Sequence, residues 1–228
     1  MSTLTKYNEI SEFYSNLEFP GRYTAKDLEY YQLGIKNVYL NGIDQHLATA
    51  GEVLDIGAGS GLITNLFAQR RPNCTFTAID ISKSILYGEK FAKEHNIINT
   101  NWVQTNFLEY NTTKKFDSVI CQGVLHHIPD WDRAIHQIKG LVKPGGTVLL
   151  GLYHPWGKLL QKLFRVDYQN KILEHDQFQN PFETSFTQTQ ITKLMQPLML
   201  SDKYPGNCLS IKSSFIQSGG LILYIFKG

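Results

Sequence analysis

Between Glu52 and Leu152 the chain alternates short apolar runs with longer segments in which apolar residues recur every three or four positions. The short runs are typical of buried β-strands, and the longer segments have the spacing of amphipathic helices. The pattern predicts strands at Val53–Ile56, Thr75–Ile79, Trp102–Thr105, Phe116–Cys121 and Thr147–Leu152. It predicts helices at Leu62–Gln69, Lys83–His95 and Trp131–Val142. Strands that alternate with helices of this length pair in parallel, so we expect a doubly wound α/β sheet.

The segments on either side of this region follow other patterns. The first fifty residues predict two helices, divided by a loop at Phe19–Thr24 that contains a Pro-Gly helix breaker. Near the other end, helices are predicted at Gly157–Phe164 and Thr189–Met195. The apolar runs Cys208–Phe215 and Leu221–Phe226 predict an antiparallel hairpin that closes the sheet edge.

These patterns predict one domain over residues 1–228. A chain of this length supports one sizeable α/β domain with a small elaboration, and is too short for two full domains. Residues 1–47 would form an N-terminal helical cover, and residues 153–204 an inserted lid. The core would consist of residues 48–152 and 205–228.

Composition narrows the class of protein further. Hydrophobic residues make up 42% of the chain and charged residues 18%, which favours a globular core, and a net charge of +2 does not call for a nucleic-acid partner. The three cysteines form no C-x-x-C pair, which indicates reduced thiols. The start of the chain has no signal-peptide pattern, and the longest apolar run, Leu221–Phe226, is too short to span a bilayer. We therefore expect a cytoplasmic protein.

The first predicted strand ends in a glycine-rich turn that contains Gly57, Gly59 and Gly61. Glycine adopts positive φ angles and allows a ligand to approach the main chain closely. The helix predicted from Leu62 would direct unpaired N–H groups toward that ligand. The turn is therefore a candidate nucleotide-binding loop.

The residues around this turn distinguish between classes of nucleotide. A dinucleotide fingerprint needs a third glycine three residues after the second, and the two positions that would hold it are Leu62 and Thr64. Asp55, two residues before Gly57, would repel a diphosphate but would attract an ammonium group. S-adenosylmethionine carries an ammonium and a sulfonium and has no phosphate. It is therefore favoured over a nicotinamide dinucleotide.

Polar residues also follow the next two predicted strands. Asp80 lies at the end of the second strand, near the offset from the glycine turn at which a carboxylate binds ribose hydroxyls. Asn106 ends the third strand, where its amide oxygen could accept a hydrogen bond from an adenine amino group and Phe107 could stack on the ring. Asn106 as an ordinary turn residue remains an alternative.

The sequence resembles the class I S-adenosylmethionine-dependent methyltransferases, in their small bacterial, type-11-like branch. The segments that carry the resemblance are Val53–Gly61, Asp80, Phe116–Cys121, Val124–Ile128 and Leu141–Gly146, in the expected order. The resemblance implies a doubly wound, seven-stranded, mostly parallel sheet with an antiparallel last strand. Asn106 departs from the aspartate that is usual at its position in this family.

The resemblance also implies the cofactor, S-adenosylmethionine, its product S-adenosylhomocysteine, and the residues that bind them. Asp55, Gly57 and Gly59 would bind the methionine part, and Asp80 the ribose. The full set of expected cofactor-binding residues is Tyr23, Asp55, Gly57, Ala58, Gly59, Asp80, Ile81, Asn106, Phe107, Gln122 and Gly123.

The expected reaction moves the methyl group to an oxygen, or less favourably a nitrogen, of a small-molecule or peptide acceptor. A hydroxyl or ammonium acceptor must lose a proton, and histidine is the natural base near neutral pH. Candidate catalytic residues after the fourth and fifth strands are His127, Tyr153 and His154. The spacing of histidines and cysteines does not suit a metal, so we expect none. The sequence does not decide the acceptor or the oligomeric state.

Two other functions stay open. Lys158, Lys162 and Arg165 share one predicted helix face within a stretch, 134–166, that has no acidic residue. This face could serve an RNA-modifying methyltransferase, although the near-neutral total charge disfavours that function. The second alternative is a protein that binds S-adenosylmethionine without transferring its methyl group.

Overall fold

The computed structural model describes residues 3–17, 21–33, 38–164, 180–205 and 221–228. Three helices come first: α1 at Thr3–Leu17, α2 at Ala25–Leu33 and α3 at Val38–His46. The sequence predicted two helices in this region, and its described residues form three.

The central region alternates strands and helices as predicted. Its elements are β1 (Gly51–Ile56), α4 (Leu62–Arg70), β2 (Cys74–Asp80), α5 (Ile85–Glu94), β3 (Thr100–Gln104), β4 (Phe116–Gln122), α6 (Trp131–Leu141) and β5 (Val142–Tyr153). Two short 3₁₀ turns lie at Phe107–Glu109 and Leu125–His127. The remaining elements are α7 (Pro155–Phe164), α8 (Gln188–Met195), β6 (Met199–Pro205) and β7 (Leu221–Lys227).

The strands form one seven-stranded sheet in the order β3-β2-β1-β4-β5-β7-β6. The pairs from β3 to β5 are parallel. Strand β7 is antiparallel to both of its neighbours, β5 and β6. The predicted fold class, a mostly parallel sheet with an antiparallel last strand, is therefore confirmed.

The sixth strand differs from the sequence prediction. The structure pairs β7 with Met199–Pro205, of which all but Pro205 belong to the segment predicted as a lid, 153–204. The run predicted as its hairpin partner, Cys208–Phe215, lies outside the described residues. Strand β6 is at the sheet edge and most of its side chains are exposed, including Asp202 and Lys203. Its pattern therefore lacks the apolar run that marks the central strands.

The sheet is covered on both faces by apolar side chains. Along β1, Val53 packs in one core cluster with residues of α3, α4 and α5, and Leu54 packs in another with residues of α6 and α8. Consecutive side chains of a strand point to opposite faces, so both must be apolar when helices cover both sides. This two-sided burial explains why the strands β1, β2 and β4 appear in the sequence as nearly continuous apolar runs.

Helix α4 carries much of one core, because Leu66 and Phe67 are fully buried. We expect Leu66→Ala to lower the free energy of unfolding by about 2–5 kcal/mol, since it removes buried methyl groups and leaves a cavity. Chemical denaturation of the ligand-free protein measures this change. Leu86→Ala on α5, where the side chain is 51% exposed, is the matched control and should change stability little. Equal losses in both variants would contradict this packing.

No helix in the described part of the chain has the length and hydropathy needed to cross a membrane.

Candidate functional site

A cavity lies over the carboxyl ends of the parallel strands, beneath side chains of α1 and α3. Strands β1, β2 and β4 end at the same edge of the sheet, and so their following loops meet there. Of the cofactor-binding residues predicted from the sequence, the cavity is lined by Asp55, Gly57, Ala58, Gly59, Asp80, Ile81, Asn106, Phe107, Gln122 and Gly123. Of the predicted catalytic residues, it is lined by His127 and Tyr153.

The glycine turn at the end of β1 needs its glycines for geometric reasons. Gly57 has φ 70° and Gly59 has φ 56°, in the region that side chains disfavour. A Cβ on Gly57 would also collide with the side chain of Val124. The amides of Gly57 and Ala58 both donate to the carbonyl of Ile79, at 2.8 and 3.0 Å, which ties the turn to β2.

Asp55 is a buried carboxyl group at the start of this turn, with 2% of its surface exposed. Thr64 donates a hydrogen bond of 2.6 Å from its hydroxyl to Asp55 Oδ2. Burial raises the pKa of Asp55 to about 7, and the charge of Asp80 adds to the increase, whereas the Thr64 bond opposes it. A cation bound beside Asp55 would therefore stabilise the ionised carboxylate.

Asp80 holds the same turn from the end of β2. Its Oδ2 accepts from the amide of Gly59 at 2.8 Å. Its Oδ1 accepts from both the amide and the hydroxyl of Ser82, each at 2.7 Å. Burial raises the pKa of Asp80 despite these bonds. Asp80 thus organises the turn, in addition to any contact with a ribose.

Asn106 and Phe107 lie at the third strand end, as predicted. The Asn106 side-chain oxygen accepts from the amide of Leu108 at 3.1 Å and caps the short 3₁₀ turn. The turn-residue interpretation is therefore correct, and a second lone pair on the same oxygen still allows contact with a ligand. Phe107 is 6% exposed and contributes an apolar wall.

Tyr23 does not line the cavity, in contrast to the sequence prediction. Its hydroxyl donates to the carbonyl of Ser60 at 3.1 Å and accepts from Asn65 Nδ2 at 2.6 Å. Its ring packs against Tyr87 and Phe91. Tyr23 thus supports the glycine turn from outside the cavity, because two hydrogen bonds and two rings hold it in the core behind that turn.

Helices α1 and α3 contribute cavity residues that the sequence analysis did not assign. Tyr7, Ile10 and Tyr14 come from α1, and Tyr39 and Leu40 from α3. No sequence signal separates them from core residues, because an amphipathic helix has an apolar face in either case. Two hydrogen bonds join α1 to the loop after β2: Ser11 Oγ to the carbonyl of Ile81 at 3.1 Å, and the amide of Lys83 to Ser15 Oγ at 3.0 Å.

Gln122 and Gly123 end β4 at the centre of the cavity. Tyr39 donates from its hydroxyl to Gln122 Oε1, and Gln122 Nε2 donates to the carbonyl of Leu149 at 3.2 Å. These two bonds fix the Gln122 side chain. A Cβ on Gly123 would meet no atom within 4 Å, so a side chain here would extend into open space beside a cavity-lining backbone.

His127 is buried, with 4% of its surface exposed, and it lines the cavity. Its Nδ1 lies 2.9 Å from the carbonyl oxygen of Phe182. Since a carbonyl only accepts, this contact requires the proton on Nδ1. In the neutral ring, Nε2 then carries the lone pair.

Tyr153 lies between two basic side chains. The ring of fully buried His126 is 4.0 Å from the Tyr153 ring, and Lys158 Nζ is 4.0 Å from the centroid of the same ring. Burial, aided by His127 and Lys158, holds the pKa of His126 well below its usual value. Lys158 also pairs with Glu183 at 2.6 Å. Lys158 therefore does not belong to a solvated basic face; the side chains of Lys162 and Arg165 lie outside the described ones.

His154, the third predicted catalytic residue, does not line the cavity. Its Nδ1 accepts from the amide of Trp156 at 3.3 Å, and its carbonyl accepts from the amide of Gly157 at 3.0 Å. These contacts place His154 at the start of α7. The geometry gives it the role of ending β5 and beginning that helix, and does not place it beside an acceptor.

The cavity wall carries acidic groups and no fixed positive charge among its described lining residues. Asp55 and Asp80 are the carboxyl groups, and none of these residues is Lys or Arg. Such a wall fits a cationic ligand with hydroxyl groups and lacks the positive side chains that a diphosphate favours. Among the described residues, no group of three or more His, Cys, Asp or Glu side chains is arranged to hold a metal ion.

The sheet order and the antiparallel β7, with carboxyl groups at the ends of β1 and β2, match the Rossmann-like methyltransferase fold. Residues 54–148 match the sequence model described as a methyltransferase domain. This match covers somewhat less than half of the chain and agrees with the resemblance seen in the sequence.

Curated relatives agree with this class. The chain is 34% identical over 117 residues to the ubiquinone biosynthesis O-methyltransferase of Coxiella burnetii (strain Dugway 5J108-111), covering 50% of this chain and 49% of the relative. The enzyme of the same name from Chromobacterium violaceum is 35% identical over 130 residues, 54% of each chain. The match thus spans about half the length of these relatives.

Solved structures share the fold over nearly the whole chain. The N-methyltransferase NodS from Bradyrhizobium japonicum WM9, in complex with S-adenosylhomocysteine, has a TM-score of 0.60 at 16% identity and covers 98% of both chains. The magnesium protoporphyrin IX methyltransferase from Synechocystis PCC 6803, with the same bound product, has a TM-score of 0.65 at 14% identity and covers 99% of this chain and 98% of that one. At this identity the likeness shows the fold alone.

The hydrogen bonds of Asp80 predict that it stabilises the protein even without a cofactor. In Asp80→Asn the amide nitrogen cannot accept, so the bond to Gly59 or a bond to Ser82 is lost. We expect the free energy of unfolding to fall by about 1–3 kcal/mol and the Gly59 amide to exchange faster. Denaturation and hydrogen exchange of the ligand-free protein measure both changes, with exposed Asp132→Asn as the control. Unchanged exchange at Gly59 would show that Asp80 does not brace the turn.

Proposed function

We propose that the protein transfers the methyl group of S-adenosylmethionine to a hydroxyl of a small, mostly apolar aromatic molecule. The observation that carries this proposal is the division of one cavity into two parts. The ends of β1 to β3 provide carboxylates and a glycine turn, and the part near β4, β5 and β7 provides aromatic and aliphatic walls with one histidine.

The first part fits the cofactor. Asp55, Asp80 and Phe107 line this part of the cavity. Asp55 would attract the ammonium group, Asp80 would accept from the ribose, and Phe107 would cover the adenine. When bound, S-adenosylmethionine supplies a methyl group on a positively charged sulfur and leaves as the neutral thioether S-adenosylhomocysteine. The chain contributes mainly by orienting the acceptor in line with the methyl group, an effect worth up to about 7–11 kcal/mol in favourable cases.

The second part suits an uncharged, flat acceptor. Tyr14, Ile128, Tyr153 and Leu221 line it, and none of these side chains carries a formal charge at neutral pH. Aromatic walls with few polar groups favour an aromatic ligand. The same walls disfavour a charged peptide or an RNA strand, which would need basic or acidic partners.

His127 is the group best placed to take the proton of the acceptor hydroxyl. It lines the cavity, and the Phe182 carbonyl holds its proton on Nδ1, so that Nε2 has the lone pair. The acceptor proton moves to Nε2 as the oxygen uses its electron pair to form the O–C bond. The cofactor would supply the methyl group from its sulfur, which would keep the electrons of the C–S bond as a neutral thioether. Tyr153 serves as a wall of this part of the cavity.

Transfer to oxygen, and not nitrogen, is supported by the relatives. The curated relatives are O-methyltransferases by name. The fold itself does not distinguish transfer to oxygen from transfer to nitrogen, because structural neighbours include N-methyltransferases. A neutral histidine base also suits a phenolic hydroxyl, whose proton must be removed before its oxygen becomes a good nucleophile.

The raised pKa of Asp55 predicts that cofactor binding releases a proton. Below pH 7 the free protein holds a proton on this carboxyl, and a bound ammonium favours the ionised form. Calorimetric titration with S-adenosylmethionine at pH 6, in two buffers of different ionisation enthalpy, should show release of nearly one proton. Affinity should rise as the pH increases toward 7 and level off above it.

Asp55→Asn should bind more weakly and release no proton, whereas exposed Asp132→Asn should behave like the unmodified protein. If the unmodified protein binds the cofactor with no proton release between pH 5 and 7, Asp55 is not beside the ammonium group.

An acceptor panel tests the reaction itself. We expect S-adenosylhomocysteine to form with 4-ethylcatechol, and much less with phenethylamine, an acidic peptide or transfer RNA, as measured by mass spectrometry. His127→Gln should lower kcat by about 10²–10⁴-fold with little change in cofactor affinity, because the proton acceptor is lost. His136→Gln, exposed on α6, is the control.

Methylation of transfer RNA in preference to the catechol would overturn the proposed acceptor class. Tight cofactor binding without turnover of any acceptor would instead indicate a non-catalytic binding protein. Turnover of the catechol with full kcat in His127→Gln would leave the reaction standing and remove His127 as the base.

A further inference from the structure

We propose that Asn180 is a positioning residue, which sets the ring orientation and the tautomer of His127 and links that ring to the N-terminal helix α1. This inference rests on the proposed function, because it takes His127 as the base. Asn180 lies outside the cavity wall and 53 positions further along the chain than His127, so no motif in the sequence indicates the connection.

The segment 180–186 runs beside the 3₁₀ turn that contains His127. Every second residue of the segment forms a hydrogen bond with a neighbouring element. From Phe182 to Phe186 this spacing is that of an extended chain, in which alternate backbone groups point to the same side. Its contacts are Asn180 Nδ2 to Tyr14 OH, Phe182 O to His127 Nδ1 at 2.9 Å, Thr184 N to His126 O at 2.8 Å and Phe186 N to Tyr153 O at 3.1 Å.

Both polar atoms of the Asn180 side-chain amide form hydrogen bonds. Its Oδ1 accepts from the amide of Phe182 at 3.0 Å, and its Nδ2 donates to the hydroxyl of Tyr14. The first bond closes a tight turn, and this turn fixes the direction of the Phe182 backbone. The Phe182 carbonyl is the group that accepts the hydrogen bond from the Nδ1–H of His127.

The tautomer of His127 therefore depends on a carbonyl that Asn180 orients. Loss of the turn would allow the Phe182 carbonyl to rotate away from Nδ1. The neutral ring would then distribute its proton between both nitrogens, and only part of the population would present a lone pair at Nε2. This loss would lower the rate of proton transfer and would leave cofactor binding unchanged.

Through its hydrogen bond to the Tyr14 hydroxyl, Asn180 is also connected to the cofactor part of the cavity. Tyr14 lines the cavity, and its ring centroid is 5.9 Å from that of His127. The carbonyl of Tyr14 accepts from Ser84 Oγ at 2.8 Å, just after the β2 loop that carries Asp80. Tyr14 and Asn180 thus connect the position of α1 over the cofactor with the geometry of the base.

Three variants separate these contacts. Asn180→Ala removes both bonds, and Tyr14→Phe removes only the link to α1. Asn180→Asp keeps an acceptor for the Phe182 amide, and the Tyr14 hydroxyl can donate to its second oxygen. Long-range ¹H–¹⁵N NMR of the histidine rings reports the His127 tautomer without any acceptor. Rates with 4-ethylcatechol across pH report the base in turnover, and calorimetry reports cofactor affinity.

We expect the protein with Asn180 intact to show His127 protonated at Nδ1, and Asn180→Ala to show a mixture of tautomers. Its kcat should fall about tenfold, with cofactor affinity changed less than about threefold. Asn180→Asp should retain the Nδ1 tautomer, and its negative charge should move the acid limb of the rate profile to higher pH. Tyr14→Phe should change the ring signals of His127 in the same direction as Asn180→Ala, and less strongly.

Asn111→Ala, at an exposed loop position remote from the cavity, is the matched control and should leave the spectrum and the rates unchanged. Identical His127 ring signals in Asn180→Ala and the unmodified protein would overturn the proposal, even if that variant were less stable. If the catechol is not methylated, the NMR result still decides the positioning role. If His127→Gln keeps full activity, His127 is not the base. The NMR result on the His127 tautomer still tests the positioning role of Asn180.

Discussion

The site depends on two carboxyl groups, Asp55 and Asp80, that end neighbouring parallel strands inside a protein core. Burial raises the pKa of both, and the charge of Asp80 raises that of Asp55 further. In the described part of the cavity wall no Lys or Arg offsets them. A ligand with a positive charge and hydroxyl groups is therefore the partner that this arrangement favours, and the glycine turn between the two carboxyl groups gives that ligand access to the main chain.

The strand order determines how the rest of the cavity is used. Strands β1, β2 and β3 form one half of the sheet, and β4, β5 and β7 belong to the other half. Their loops consequently separate a charged region from an aromatic one within a single cavity. The proposed reaction would use this separation, with the cationic cofactor beside the carboxyl groups and the acceptor hydroxyl against the apolar wall near His127.

The sequence predicted the sheet and the charged region well, because both depend on local patterns. Asp55 and Asp80 lie at the ends of apolar strands and Gly57 directly follows one, and parallel pairing brings such strand ends together. The sequence did not predict β6, whose exposed edge position removes the apolar signal. It also assigned Tyr23 and His154 to the site, and neither residue lines the cavity. Those two roles depend on tertiary contacts: Tyr23 is held behind the glycine turn by Asn65 and Ser60, and His154 begins α7.

The aromatic region is assembled from segments that lie far apart in the chain. Tyr14 comes from α1, His127 from the loop after β4, and the group that orients His127 from the segment 180–186. The charged region, in contrast, is built from consecutive strand ends. A change in 180–186 would therefore affect the acceptor wall and the proposed base together, while the carboxyl groups at β1 and β2 remain in place. A change in α1 would also reach the loop after β2, to which α1 is hydrogen-bonded. This difference in construction explains why the cofactor can be inferred from short motifs, whereas the acceptor must be inferred from the folded cavity.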